Sequence, residues 1–152
     1  MIKILFVCLG NICRSPMAEY VFKSMIREKK IEGIYIDSAA TSDEEIGNPM
    51  HYGTKNKLDK MNIKYENHVA KRITKEDYDK FDYIIGMEEQ NIKDIKRIVG
   101  EDTKNKIYKL LDFSDRPRDI ADPWYTGDFD TTYNDIVEGL NGFLKHLNLY
   151  SL

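Results

Sequence analysis

The first strongly patterned segment, Ile2-Lys-Ile-Leu-Phe-Val-Cys8, is apolar at almost every position and rich in branched and aromatic side chains. A run of this kind reads as a strand covered on both faces in a parallel sheet. It breaks at Leu9-Gly10-Asn11. Ser15-Pro16 then supplies a helix start, with Ser15 as N-cap, Pro16 at the first helical position and Glu19 where negative charge suits the helix dipole. Val21, Phe22, Met25 and Ile26 recur at helical spacing, so the predicted helix runs from about Pro16 to Lys29.

The alternation repeats along the chain. Ile34 to Asp37 reads as a second strand, and Asn48-Pro49 opens a helix to about Met61 with Leu58 and Met61 facing inward. Thr74-Lys-Glu-Asp77 starts a short helix in an order that resembles a capping box. Asp82 to Met87 is a third strand, followed by a helix from about Glu88 to Val99 with Ile92, Ile95, Ile98 and Val99 on one side. Lys106 to Leu111 reads as a fourth strand. The segment from Asp112 to Asp128 has no period, and so long a loop inside a compact domain is usually functional or disordered. Phe129 to Leu147 closes the pattern as an amphipathic helix. Repeated β-then-α units imply the α/β class, as an open four-stranded parallel sheet with helices on both faces and right-handed crossovers, in a single domain over residues 1–152.

Composition narrows the class. With 23 Lys+Arg against 26 Asp+Glu the net charge is −3, and the basic residues are scattered among acids, which disfavours nucleic acid as a partner. No apolar run approaches the roughly 18 to 20 residues of a membrane helix, and the N-terminal stretch lacks the features of a secretion signal. The expectation is a cytoplasmic protein with no membrane association. His51, His68 and His146 lack ligand spacing with one another or with the cysteines, so neither metal nor cofactor is expected. The two cysteines, Cys8 and Cys13, are so close in sequence that a disulfide between them would constrain little of the unfolded chain. Their value is chemical.

Ligands of open parallel sheets bind beyond the carboxyl ends of strands, often where a helix begins. The segment Cys8-Leu9-Gly10-Asn11-Ile12-Cys13-Arg14-Ser15-Pro16 occupies that place, with five residues between Cys8 and Arg14. Five residues can curl so that successive backbone N–H groups point inward around a tetrahedral anion, and Arg14 can offer its planar fork to two phosphoryl oxygens. The same N–H groups and the following helix N-terminus would favour Cys8 as thiolate. Gly10 or Asn11 would supply the left-handed backbone the loop requires. A nucleotide-binding G-x-x-x-x-G-K-[ST] loop does not occur in the chain.

The stretch from Val7 to Glu19 resembles the signature loop of the low-molecular-weight protein tyrosine phosphatases. The segments Asp37 to Ser42, Glu45 to Pro49, Ile73 to Asp77, Phe81 to Ile85 and Asp122-Pro-Trp-Tyr125 are similar to that family in the same order. The resemblance implies a two-step hydrolysis of phosphotyrosine in proteins or peptides, with inorganic phosphate as product. Cys8 is the nucleophile, Arg14 the phosphoryl-binding residue and Asp122 the general acid and base, with Asp115 and Asp119 as rivals on the same loop. Leu9, Gly10, Asn11, Ile12, Cys13 and Ser15 form the phosphate-binding loop, and Ser38 and His68 support Asn11. Trp124 and Tyr125 are candidate pocket walls. The opposite wall, commonly Trp or Tyr in the family, aligns with Glu44 within Asp43-Glu-Glu45, and Glu88 stands where the family commonly has Asp. Cys13 could trap oxidised Cys8 as a disulfide.

Three other readings compete. Protein-arginine phosphatases share the scaffold but tend to carry Thr where this chain has Ile12. Arsenate reductases of similar fold need further cysteines downstream, and none follows Cys13. A non-catalytic phosphate-binding or redox-sensing module is disfavoured by the joint presence of Arg14 and Asp122.

Overall fold

Strand β1 (Ile2–Cys8) lies between two parallel partners, β2 (Ile34–Ala40) and β3 (Tyr83–Gly86), and β4 (Ile107–Lys109) adds to the far side of β3 in a computed structural model that describes residues 1–148. The strand order is β2-β1-β3-β4, all parallel, as the alternating pattern predicts. Residues 149–152 of the expected domain lie outside the described part. The order changes direction at β1 and β3, so the loop leaving β1 opens at the switch point where such sheets bind ligands.

Period-two alternation in β1 sends Ile4, Phe6 and Cys8 to one face and Leu5 and Val7 to the other, and both sets are buried. The first face packs under helices α1 (Arg14–Glu28) and α6 (Phe129–His146), through Met17, Val21, Phe22, Leu140 and Phe143. The second is covered by α4 (Glu89–Val99) through Ile92, Ile95 and Val99, and by Tyr78 and Phe81 at the short α3 (Asp77–Lys80). Each large side chain so buried contributes about 1.5–3 kcal/mol. Two further helices flank the site: α2 (Tyr52–Lys60) and the short α5 (Pro123–Thr126). None of the described helices is long and apolar enough to cross a membrane.

Several boundaries differ from the sequence expectation. Helix α1 begins at Arg14 and its N-cap position is Cys13, with no side-chain cap; Ser15 does not cap because its hydroxyl is used inside the preceding loop. Helix α2 begins at Tyr52, where His51 Nδ1 accepts from Gly53 N at 3.0 Å, because Pro49 is drawn into an isolated antiparallel bridge with Val69. Met61 is exposed rather than inward. Strand β2 extends to Ala40 because it pairs with β1 along its whole length. Of the Thr74 capping box only the Asp77 half forms, accepting from Thr74 N at 2.9 Å, and the helix starts at Asp77. Strand β4 stops at Lys109, since Leu110–Phe113 coils into a 3-10 turn against α6. That contact needs Gly142: a Cβ there would lie 2.0 Å from the Phe113 carbonyl oxygen.

Candidate active site

The loop from Cys8 to Arg14 is turned so that its carbonyl oxygens face outward. Cys8 O accepts from Thr41 N (3.0 Å), Leu9 O from Ser42 N (3.0 Å), and Ile12 O from His51 N (2.8 Å). Asn11 O accepts from His68 Nε2 (2.7 Å), which fixes the imidazole proton on that nitrogen, and Cys13 O accepts from Thr54 Oγ1 at 3.2 Å. With its carbonyls engaged outside, the loop turns N–H groups toward its centre, where Asn11 N and Ser15 N donate to Cys8 Sγ at 3.3 and 3.4 Å. The reversal happens at Asn11, whose φ of 58° is left-handed. Asn tolerates that backbone better than most side chains, and here its side chain is also held.

That side chain sets the direction of a buried hydrogen-bond chain. Asn11 Oδ1 accepts from Lys71 N at 3.2 Å, so its amide nitrogen faces the other way and donates to both Ser15 Oγ (2.8 Å) and Ser38 Oγ (2.9 Å). Each hydroxyl, its oxygen already accepting, sends its own proton onward. Ser38 donates to Glu19 Oε1 at 2.6 Å, and Ser15 donates to Cys8 Sγ at 3.0 Å, its other acceptor, Ala39 O, being more distant at 3.5 Å. Three hydrogen bonds therefore converge on one sulfur, two from backbone and one from a hydroxyl, an arrangement that holds negative charge there.

Arg14 is 2% exposed. Its Nη1 donates to the Ile120 carbonyl at 2.8 Å and to the Glu88 carboxylate, and Nη2 donates to Asp122 Oδ2 at 3.3 Å. Burial by itself would lower the pKa, but the negative charges of Cys8, Asp122 and Glu88 outweigh it and raise the guanidinium above its ordinary range. Its Nε is buried with no partner among the described residues, a charged donor left over in the cavity wall.

Asp122 caps α5, accepting from Trp124 N at 3.0 Å through Oδ1 while Oδ2 faces Arg14. The pocket is walled by Leu9 and Ile12 from the loop, Trp124 and Tyr125 on one side, and Ser42, Glu44 and Glu45 on the other. Asp115 lies elsewhere, in a separate hollow beside α6, and Asp119 is tied to Lys109 Nζ and Glu89 N, both at 3.0 Å; of the three loop aspartates only Asp122 lines this pocket. Asp43 pairs with Arg72 at 3.4 Å and Glu45 accepts from Asn48, while the exposed Glu44 makes no ion pair among the described residues.

The segment leading to Asp122 is strapped along α6. Arg118 donates to Asp135 (2.8 Å) and to both oxygens of Glu138 (2.9 and 3.1 Å), Arg116 adds a bond to Glu138 at 3.0 Å, and Thr132 Oγ1 donates to Ala121 O at 3.2 Å. Arg118, then Ser114, hold the Glu138 carboxyl down to about 2.

Every sequence-predicted site residue is thus gathered at one mouth or its support. Cys13 is buried, and burial first, then the charges of Cys8 and Asp122, push its thiol up to about 12. Sequence reasoning read Glu19 as a dipole partner, whereas it is the buried acceptor that ends the Asn11 network. Its signal was a carboxylate on the otherwise apolar face of α1. Glu88 entered only as a departure from a family pattern, yet it clamps Arg14; its place just past the end of β3 was the available clue.

Chemistry on a tetrahedral anion at sulfur is what such a cradle serves, and fold and site together define the class of cysteine-based phosphoric monoester hydrolases. The family described as low molecular weight phosphotyrosine protein phosphatase matches residues 3–150, and the chain belongs to it. It is 41% identical over 150 residues to the low molecular weight protein-tyrosine-phosphatase YfkJ of Bacillus subtilis, covering 97% of this chain and 96% of that one. Identity to the low molecular weight phosphotyrosine protein phosphatase of Gallus gallus is 45% over 150 residues and 94% of each chain. The crystal structure of YfkJ superposes with a TM-score of 0.93 over 97% of this chain and 95% of that one, at 40% identity. DARP, a drosophila arginine phosphatase, superposes with a TM-score of 0.89 over 96% and 98% of the two chains at 30% identity.

Proposed function

We propose that the family's reaction, hydrolysis of protein phosphotyrosine to tyrosine and inorganic phosphate, runs on Cys8, Arg14 and Asp122. The observation that carries this assignment is the directed hydrogen-bond chain that ends in donors on Cys8 Sγ. In the first step Cys8 attacks phosphorus in line, the P–O bond to the tyrosine oxygen breaks, and Asp122 gives its proton to that oxygen. Arg14 and the loop amides hold the three equatorial oxygens as charge shifts onto them. In the second step Asp122 takes a proton from water, whose oxygen attacks phosphorus and returns the bonding pair to Cys8. Ser15 eases that departure by donating to the sulfur. Glu88 keeps Arg14 in place, and Ser38, His68 and Glu19 keep Asn11 in its left-handed turn.

Replacing Cys8 with Ser should abolish turnover of an aryl phosphate while inorganic phosphate still raises the melting temperature. Retained turnover would remove the mechanism. Phosphoarginine as substrate is disfavoured by Ile12, an apolar side chain on the pocket wall that suits an aryl ring. Comparing turnover of phosphotyrosine, phosphoserine and phosphoarginine without added metal checks the choice.

Two finer readings accompany this one. Cys13 lines the same pocket as Cys8, and both are free thiols. Peroxide would convert Cys8 to a sulfenic acid, which Cys13 condenses with to a disulfide and water. A thiol held near 12 does this slowly, so the guard acts under sustained oxidation. A Cys13→Ser variant that recovers from peroxide on reduction as fully as wild type would argue against it. Two free, buried thiols suit a reducing compartment, which supports a cytoplasmic location that cell fractionation tests.

A further inference from the structure

A second groove opens on the far side of Trp124, with a volume of about 390 Å³, and Trp124 lines both it and the pocket over Cys8. Its floor is aromatic: His51 stacks on Phe129 at 5.3 Å and meets Trp124 edge-on at 5.4 Å. Tyr52, 72% exposed, stacks on the other flank of His51 at 4.5 Å. Tyr52, Asn56 and Lys60 are exposed and fall at i, i+4 and i+8 along α2, so they form one row leading away from the pocket mouth. The neighbouring Lys57 is already engaged, with Asp130 at 2.9 Å and over the Tyr133 ring at 5.0 Å. Lys60 makes no ion pair among the described residues, which leaves it the available cation of the groove.

We propose that this groove receives the stretch of substrate polypeptide flanking the phosphotyrosine, and that Lys60 selects an acidic side chain on that stretch. The inference rests on the phosphatase reading above. Three features match the row to an extended peptide: an aromatic shelf for an apolar side chain next to the mouth, an amide at Asn56 for main-chain groups, and a cation at the end. The rim opposite carries Glu44 and Glu45, so a peptide lying across the mouth runs from an acidic rim toward the cation at the far end of the row. A bound peptide is thereby given a direction as well as a composition. The spacing sets a register. Eight residues of helix rise about 12 Å, which an extended chain covers in roughly four residues. The favoured acid is therefore about four residues beyond the one that sits on the Tyr52 shelf.

The test is a set of phosphotyrosine peptides with a neutral, flexible backbone in which a single Glu is moved from position to position on either side of the phosphotyrosine. The reading expects kcat/KM to peak for Glu at about four or five residues on one side only. In Lys60→Glu that peak should fall about fivefold, the scale of a charge reversed at an exposed pair, while a small aryl phosphate is turned over as before. Tyr52→Ala should lower turnover of all the peptides without moving the position of the peak. A flat response along the scan, or a peak that survives Lys60→Glu, overturns the proposal while leaving the phosphatase reading intact. Failure to turn over the small aryl phosphate at all would instead remove the reading on which it rests.

Discussion

Arg14 and Asp122 face one another across the pocket, with Nη2 donating to Oδ2 at 3.3 Å. In the proposed mechanism, the residue that meets the dianionic phosphoryl group thus holds the residue that protonates the leaving oxygen. A phosphate that takes Nη2 for its own oxygen competes with Asp122 for the same donor. Substrate and acid are coupled through one guanidinium.

Asp122→Asn should therefore slow a poor leaving group such as phenol far more than an activated nitrophenol. A loss of about 10²-fold or more is expected for phenyl phosphate, the scale of a positioned general acid, and much less for the activated ester. Equal losses for both would mean that Asp122 does not deliver the proton to the leaving oxygen.

Asn11 has two duties that substitution can separate. Asn11→Gly keeps the left-handed backbone but loses the side-chain bonds, whereas Asn11→Ala loses both and adds about 1–2 kcal/mol of backbone strain. Both variants should lose turnover, because the Ser15 proton is no longer directed to the sulfur. Only the alanine variant should melt well below the glycine variant, which thermal unfolding reads directly.

The strap from Arg118 to Asp135 and Glu138 ends at Asp122, and it should position the acid. Arg118→Ala is expected to cost about tenfold in turnover of phenyl phosphate, a loss that shrinks below about twofold in an Asp122→Asn background, since coupled residues are not additive. An undiminished loss in that background would make the strap purely structural.

Glu44→Trp should restore an aromatic wall and raise the rate on peptides with acids next to the phosphotyrosine relative to neutral ones. Unchanged ratios would mean that the acidic rim does not touch substrate.

How much of this was legible beforehand depends on the range of the interaction. Continuous apolar runs located the four strands, because both faces of the sheet are covered, and the 3.6-residue pattern located the three long helices α1, α4 and α6, because each buries one regular face. The errors fall where a capping or helix-start signal was outbid by another contact: Pro49 is taken by a bridge to Val69, and Ser15 by Cys8 and Asn11 inside the curled loop. That Cys8 and Arg14 share one curled loop could be read from their spacing, and that Asp122 meets them at one pocket from the family resemblance. Glu19 and Glu88 were visible as residues but not as partners, since nothing in one sequence shows which side chain a carboxylate will reach across 19 or 74 residues.

The outward carbonyls of the phosphate loop are held by Thr41 and Ser42 after β2, His51 and Thr54 at α2, and His68 beyond it. No single segment serves as its hinge, so loosening any one tether leaves the others in place. The shape of the cradle is thus a property of the fold as a whole: contacts from three separate parts of the chain mould a loop that its own seven residues would not hold alone.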